Sequence, residues 1–317
     1  MKDKQLLGSY KNGNYTIAIY SDGTKIRETE GDAFIPSFAE NVNLMITERP
    51  DPACPWYHNV ISEGDNQAAL MAENEIETIH RYIKNLRPLT EVTISGNDLS
   101  NPEILALLVY LRKKKVFSNI LVSQEHFVKN YHRILGWTER RLIRGLEVSL
   151  EDSENSEFLK KIQSFNSPTI HVMSGIFTGD DLDNLEGKGL KIFIHGYDES
   201  VASVAMDPQD IKYNEEWLEE AIKTEFPDAF SSVTFDNIAI NQLHVKEVLF
   251  DGGKELWNEF YVRPEEDFEL CIDAVNGFFY SDFDKTDRKP IEDRFADKMF
   301  REIRKRFGRN ENKRKVK

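Results

Sequence analysis

Short, β-branched apolar runs recur along this chain at intervals of about 25–30 residues, and most are followed by a stretch with helical spacing of its apolar positions. Residues 42–47, 90–95, 119–123, 146–150, 169–173 and 190–194 read as strands, and 232–236 is expected as the sixth core strand. Helices are expected over 66–86, from 101 to about 115, over 124–135, 156–165, 180–185 and 215–223. Asn101 and Pro102 supply an N-cap and a first-turn proline for the second of these. Such alternation requires crossover connections and a parallel sheet, because a βαβ unit returns each strand in the same direction. Each run is almost wholly apolar, as expected where both faces of a sheet are covered.

Both ends of the chain depart from this pattern. Residues 14–20 alternate β-branched and aromatic side chains, and Asp22-Gly23 supplies a turn that folds them back as a hairpin. Residues 268–273 and 277–280 read as a second hairpin around Asn276-Gly277, and a helix is expected over 291–307. The chain divides accordingly into an N-terminal β extension (1–40), a barrel-like body (41–250), a C-terminal hairpin and helix (251–307) and a disordered basic tail (308–317).

Charge and cysteine content narrow the function. The 317 residues carry a formal charge of −14, which opposes non-specific attraction to nucleic acid over the body of the protein. From Arg301 to Lys317 the net charge is +7, so this segment is a candidate contact for an acidic partner or nucleic acid. No apolar run approaches the roughly 18 residues that span a bilayer, and nothing after Met1–Gln5 reads as a signal peptide, so a cytoplasmic protein is expected. Cys54 and Cys271 are the only thiols, too few for a disulfide framework.

Cys54 lies in a loop, residues 46–58, whose layout is that of a cluster site. A Cys-x3-Cys-x2-Cys spacing lets one loop offer three thiolates to one face of a 4Fe–4S cluster. Here those positions are Pro50, Cys54 and Tyr57. Proline has no donor atom, and a phenol is a poor substitute for a thiolate on iron. A Cys54/His58 pair could in principle bind zinc, yet no second pair has suitable spacing.

The order of these features resembles the radical S-adenosylmethionine (radical SAM) superfamily, in particular a radical SAM-like group common in bacteriophages and their Gram-positive hosts. The resemblance rests on residues 10–15, 22–27, Ile46-Thr47, the loop around Cys54 and Trp56, residues 94–97, and residues 235–243. It implies an α/β fold: a partial (β/α)6 TIM-like barrel of radical SAM type, with an N-terminal β-hairpin extension and a small C-terminal α/β element. It also implies an S-adenosylmethionine pocket at Ser95, Gly96 and Asn97, where a glycine turn follows the second strand. A Gly-Tyr pair after the fifth strand is retained as Gly196-Tyr197, but the family's basic, glycine-containing loop is replaced by the acidic 198–203.

The departures at Pro50, Tyr57 and 198–203 make a degenerate member the expectation: no cofactor, no catalytic residues, no metal, and a role in binding a protein partner as a phage or prophage interaction or assembly protein. The alternative is an active radical SAM or S-adenosylmethionine-binding enzyme with an atypical site. A turn such as Ser95-Gly96-Asn97 also has purely backbone reasons to exist. Glu48, Asp98, Asp198 and Glu199 are expected near strand ends as a solvated acidic rim. His171 and His195 sit on apolar strands, and a lone histidine there is more often hydrogen-bonded structure than a catalytic base.

Overall fold

A computed structural model describes residues 5–21, 23–31, 33–46, 75–96, 103–198, 206–250, 257, 261, 268–281 and 284–314. The N-terminal extension is a three-stranded antiparallel sheet rather than a hairpin: β1 (Leu6–Asn12), β2 (Tyr15–Tyr20) and β3 (Lys25–Thr29). Gly13 turns β1 into β2 with φ +61°, and an added Cβ there would lie 1.7 Å from the Ile35 carbonyl oxygen. Only glycine can hold that turn.

Seven strands then lie side by side in chain order and parallel: β4 (Asn41–Met45), β5 (Glu91–Ser95), β6 (Phe117–Ser123), β7 (Gly145–Ser149), β8 (Thr169–Met173), β9 (Lys191–His195) and β10 (Ser232–Phe235). The strand at 232–235 is therefore the seventh of the run, not the sixth, and Gly196-Tyr197 follows the sixth strand, not the fifth. β11 (Glu269–Asp273) pairs in parallel with the opposite edge of β4. β12 (Phe278–Ser281) and β13 (Asp284–Pro290) extend the sheet antiparallel to ten strands. The C-terminal hairpin is thus part of the main sheet and not a separate small element, a pairing across more than 220 residues that no local pattern announces. Among the described residues the end strands β10 and β13 are not paired with each other, so the sheet is a large mixed one without detected closure.

Helices cover one face of the sheet: α1 (Glu75–Tyr82), α2 (Ile104–Lys113), α3 (Gln124–Lys129), α4 (Tyr131–Glu139), α5 (Ser156–Ile162), α6 (Gly179–Leu185), α7 (Pro208–Thr224), α8 (Phe226–Ala229), α9 (Asn237–Gln242), α10 (Val245–Phe250) and α11 (Ala296–Arg314). The single helix expected over 124–135 is two, divided at Asn130, whose Nδ2 bonds back to the His126 carbonyl. Helix α11 runs into the stretch expected to be disordered. Among the described residues no helix is long and apolar enough to cross a membrane.

Alternation along the parallel strands decides which face does what. Val42, Leu44, Val92, Ile94, Ile120, Val148, Ile170, Ile192 and Ile194 are fully buried beneath the helices, where they meet Leu107, Leu111, Phe127, Phe158 and Leu218. Burying each such side chain stabilises the fold by about 1.5–3 kcal/mol. The opposite face carries Asn43, Thr93, Asn119, Glu147, Thr169 and Phe193, all half-buried. Among the described residues the strands are therefore not apolar on both faces as expected: the inner face is largely polar and half-buried, with Met45, Leu121 and Phe193 interspersed.

The three-stranded sheet closes the N-terminal end of this interior. Lys25 pairs with Glu91 at 3.0 Å and bonds Asn41, the first residues of β5 and β4. Arg144, just before β7, donates to the Tyr20 carbonyl and stacks on Phe117. Tyr15, Ile17 and Ile19 form a second apolar cluster with Phe268. At its centre the fully buried Glu40 accepts from Arg27 at 2.7 and 3.0 Å and from the Tyr15 hydroxyl at 2.5 Å. Burial, reinforced by the Glu40 charge, raises the Tyr15 phenol far above its ordinary range, so it serves there as a neutral donor.

Arg27→Met leaves the Glu40 charge buried without its main partner, and should cost about 3–5 kcal/mol in denaturant-induced unfolding. A loss under about 1 kcal/mol would mean that the small sheet is not anchored here.

Candidate acid–base site on the inner face of the sheet

Four titratable side chains form a continuous hydrogen-bonded chain across four neighbouring strands. Strand pairing places His171 of β8 beside Phe193 of β9 and Ser149 of β7, and His195 one step further along. His171 Nδ1 lies 2.9 Å from His195 Nε2, and His171 Nε2 lies 3.0 Å from Glu147 Oε2. His195 Nδ1 lies 3.2 Å from Asp236 Oδ2, at the end of β10. Beyond Glu147, the Thr93 hydroxyl donates to Oε1 over 3.4 Å. The His171 ring stacks on Phe193 with centroids 5.0 Å apart, which fixes its plane.

Asp236 is the anchored end. Its Oδ1 accepts from the Ala239 amide at 2.8 Å, capping helix α9, and from the Gly196 amide at 3.1 Å. Burial by itself would raise this carboxyl. The hydrogen bonds from His195, Ala239 and Gly196, with the nearby imidazole charge, outweigh that effect and hold it below its ordinary value. Gly196 is required by space rather than by φ: an added Cβ would lie 2.3 Å from Ile238 Cγ2 and 2.6 Å from the Ala239 nitrogen. Beside it, Gln242 accepts from the Tyr197 amide and donates to its carbonyl, both at 2.7 Å. These contacts give the retained 235–243 segment and Gly196-Tyr197 a common purpose, which is to fix Asp236 and the end of β9.

The exposure gradient suits a site. The His171 side chain is 7% exposed, Asp236 20%, Glu147 22% and His195 32%, so His171 is sealed while its two partners, Glu147 and His195, are partly exposed. Imidazole–carboxylate pairs of this kind carry out proton transfer when a ligand lies within reach. Among the described residues no group of three His, Cys, Asp or Glu is placed to hold a metal ion. A separate surface cleft of about 320 Å³, lined by Phe38, Asn85, Arg87, Asp297 and Arg301, contains none of these side chains.

The residues expected from the cluster-like loop, Pro50, Cys54, Tyr57 and His58, lie outside the described residues, as do Asn97, Glu48, Asp98 and Glu199. Ser95 ends β5 on the inner face, and Gly96 follows it at φ +134°, a conformation that favours glycine. Cys271 is buried on β11, in register with Asn43, whose Nδ2 lies 3.8 Å from its Sγ. His171 and His195, read from sequence as isolated, have partners after all. Glu147 and Asp236 were missed, although positions 147, 171 and 195 are spaced by 24 residues, close to one βα repeat.

No family model matches the sequence, and no curated protein matches it. Among solved structures, SuiB of Streptococcus suis bound to its precursor peptide SuiA is similar in fold, with a TM-score of 0.51 at 15% identity. The likeness covers 77% of this chain and 60% of that one. It is consistent with the radical SAM-like architecture that the sequence resemblance implies.

Asp236→Ala removes a helix cap and orphans the Gly196 amide, and should cost about 2–4 kcal/mol in chemical unfolding. Because the folded-state carboxyl is depressed, its contribution is present above the ordinary carboxyl range and lost as pH falls through the lower folded value. Wild-type stability should therefore decline in acid with a slope that Asp236→Asn reduces. Identical slopes for the two proteins would contradict the assignment.

Proposed function

We propose that this chain is a radical SAM-like protein without a functional 4Fe–4S cluster, and that it acts by holding a peptide or protein segment against the open inner face of its sheet. The observation that carries the reading is the division of the parallel strands among the described residues: fully buried apolar residues on the helix side, mostly polar and half-buried ones on the other. In a closed eight-stranded barrel the inward side chains fill the core. Here they present hydrogen-bonding groups to a solvent-reached interior whose N-terminal end is sealed.

The donor set speaks against the cluster. Three thiolates are needed from one loop, and residues 46–58 contain Cys54 alone. Cys271 sits inside strand β11, level with the middle of β4. That SuiB holds a precursor peptide in its structure supports a polypeptide as the partner class. The phage-type motifs support an interaction or assembly role in a phage or its host. A second reading, an S-adenosylmethionine-binding enzyme, is favoured by one observation: Gly96 keeps the backbone conformation of a side-chain-free turn at the end of β5.

Anaerobic reconstitution with iron and sulfide should give no stoichiometric 4Fe–4S absorbance or paramagnetic signal, and a robust signal would reject the proposal. Calorimetry with S-adenosylmethionine separates the second reading: saturable heat supports it, and its absence leaves the binding role.

A further inference from the structure

The cleft of about 320 Å³ lies at the other ends of the strands, beside the starts of β4 and β5, and shares no residue with the acid–imidazole chain. Its lining is apolar at Phe38, Ala39, Leu86 and Ala296. Its charges do not balance. Arg301 donates from Nη2 to Asp297 Oδ2 at 2.7 Å and from Nε to the Asp297 carbonyl at 3.0 Å, while Asn85 Nδ2 approaches Oδ1 at 3.4 Å. Asp297 and Arg301 thus neutralise each other within the first turns of α11. Arg87 has no carboxylate partner among the described residues, and its guanidinium lies 4.4 Å from the centre of the Phe38 ring. One positive charge is left over in a chain whose formal charge is −14.

This cation is held on a built support. The Thr90 amide donates to the Arg87 carbonyl at 3.2 Å, with Pro88 second in the turn and Leu89 third at φ +71°. These are the features of a type II turn, in which the third position favours glycine. Leucine tolerates it here because its amide bonds the Lys115 carbonyl and its side chain packs on the cluster of Tyr15, Ile17, Ile19 and Phe268. On the other side, the fully buried Asn12 fixes Phe38, donating to its carbonyl at 2.9 Å and accepting from the Ser37 and Phe38 amides. Thr90, which closes the turn and lines the cleft, is itself fully buried, and its hydroxyl has no hydrogen-bond partner among the described residues. Buried hydroxyls usually have one, so an acceptor entering here meets a donor with nothing else to bind.

We infer that this cleft binds a carboxylate joined to a small apolar group, with the carboxylate on Arg87 and the Thr90 hydroxyl and the apolar group against Phe38, Leu86 and Ala296. A guanidinium has five N–H donors, and contact with a ring uses none of them, so the planar fork of Arg87 remains available to two carboxylate oxygens. A single uncompensated cation beside Asp297 matches a singly charged oxyanion; a phosphate dianion would bring excess negative charge against that carboxylate. The volume suits a small organic acid or the last residue of a polypeptide, which present the same chemistry.

Ligand-observed NMR of the full chain tests it with three probes: 4-methylpentanoate, its uncharged amide, and the blocked tripeptide acetyl-Gly-Gly-Leu. At least one carboxylate should bind saturably and the amide should not. Equal affinity for acid and tripeptide assigns the site to free acids, and tighter binding of the tripeptide assigns it to chain ends. Arg87→Gln should weaken binding at least about tenfold, as for a lost charge-assisted hydrogen bond, and Thr90→Val at least about threefold. Arg87 is exposed, so its variant folds and decides the matter even if Thr90→Val does not. No saturable binding of either carboxylate, equal binding of the amide, unchanged affinity in either folded variant, or tighter binding of inorganic phosphate would each overturn the inference.

Discussion

The buried Glu40 carboxylate sets the geometry of the interior. Its main chain starts β4, with its amide bonded to the Phe268 carbonyl and its carbonyl to the Glu91 amide, so β11, β4 and β5 are registered at this residue. Its side chain, gripped by Arg27 and Tyr15, draws the three-stranded sheet across the same ends of the strands. A charge so enclosed is tolerable only while paired, which makes the junction strict rather than strong. The consequence, among the described residues, is a sheet whose largely polar face is stopped at its N-terminal end, opposite the C-terminal strand ends where α/β sheets bind ligands.

How much of this was readable in the sequence follows from which contacts are local. The helix-facing half of the sheet was legible because Val42, Leu44, Val92, Ile94, Ile120 and Val148 advertise burial by composition. The alternate positions, Asn43, Thr93, Asn119 and Glu147, lie inside or beside runs read as almost wholly apolar, so the polar face went unseen. Asn130 hid a helix break because helical periodicity continues through it. The β11–β4 pairing joins residues too distant for any pattern to connect, and so the C-terminal hairpin was taken for an appendage. Gly23, Gly96 and Gly277, read from sequence as turn residues, each have positive φ, whereas the turn at Gly13 was not anticipated.

For the site, the sequence offered its members singly. A histidine on an apolar strand has no evident role, and the expectation that His171 and His195 are structural was reasonable for either alone. Parallel pairing changes the question, because residues one βα repeat apart become lateral neighbours on the same face. In that register His171 lies beside Ser149 and Phe193, and it reaches His195 and Glu147 diagonally, each two residues along its strand on the same face, while Asp236 arrives from the end of the next strand. Asp236 also caps α9, so one carboxylate both starts a helix and orients an imidazole. The retained 235–243 segment was recognised by resemblance; its physical basis is this double duty.

The cluster-like loop and the acid–imidazole chain answer to different constraints. Holding an iron–sulfur cluster needs several thiolates converging from one loop, and a single change from cysteine removes a ligand outright. Residues 46–58 offer one thiol, Cys54, with Pro50 and Tyr57 at the positions that such a spacing would give the other two. The chain of Asp236, His195, His171 and Glu147 instead needs four strands in exact register, a helix start at α9 and a glycine at 196 so that β9 and α9 approach closely. Those requirements are distributed over the sheet, so the architecture that aligns the strands also preserves the chain. An interior lined with satisfied polar groups costs stability relative to an apolar one, because each member must be desolvated and oriented. Its presence on the half-exposed face, with His195 and Glu147 partly exposed on either side of the buried His171, is the arrangement expected when that face is used rather than filled.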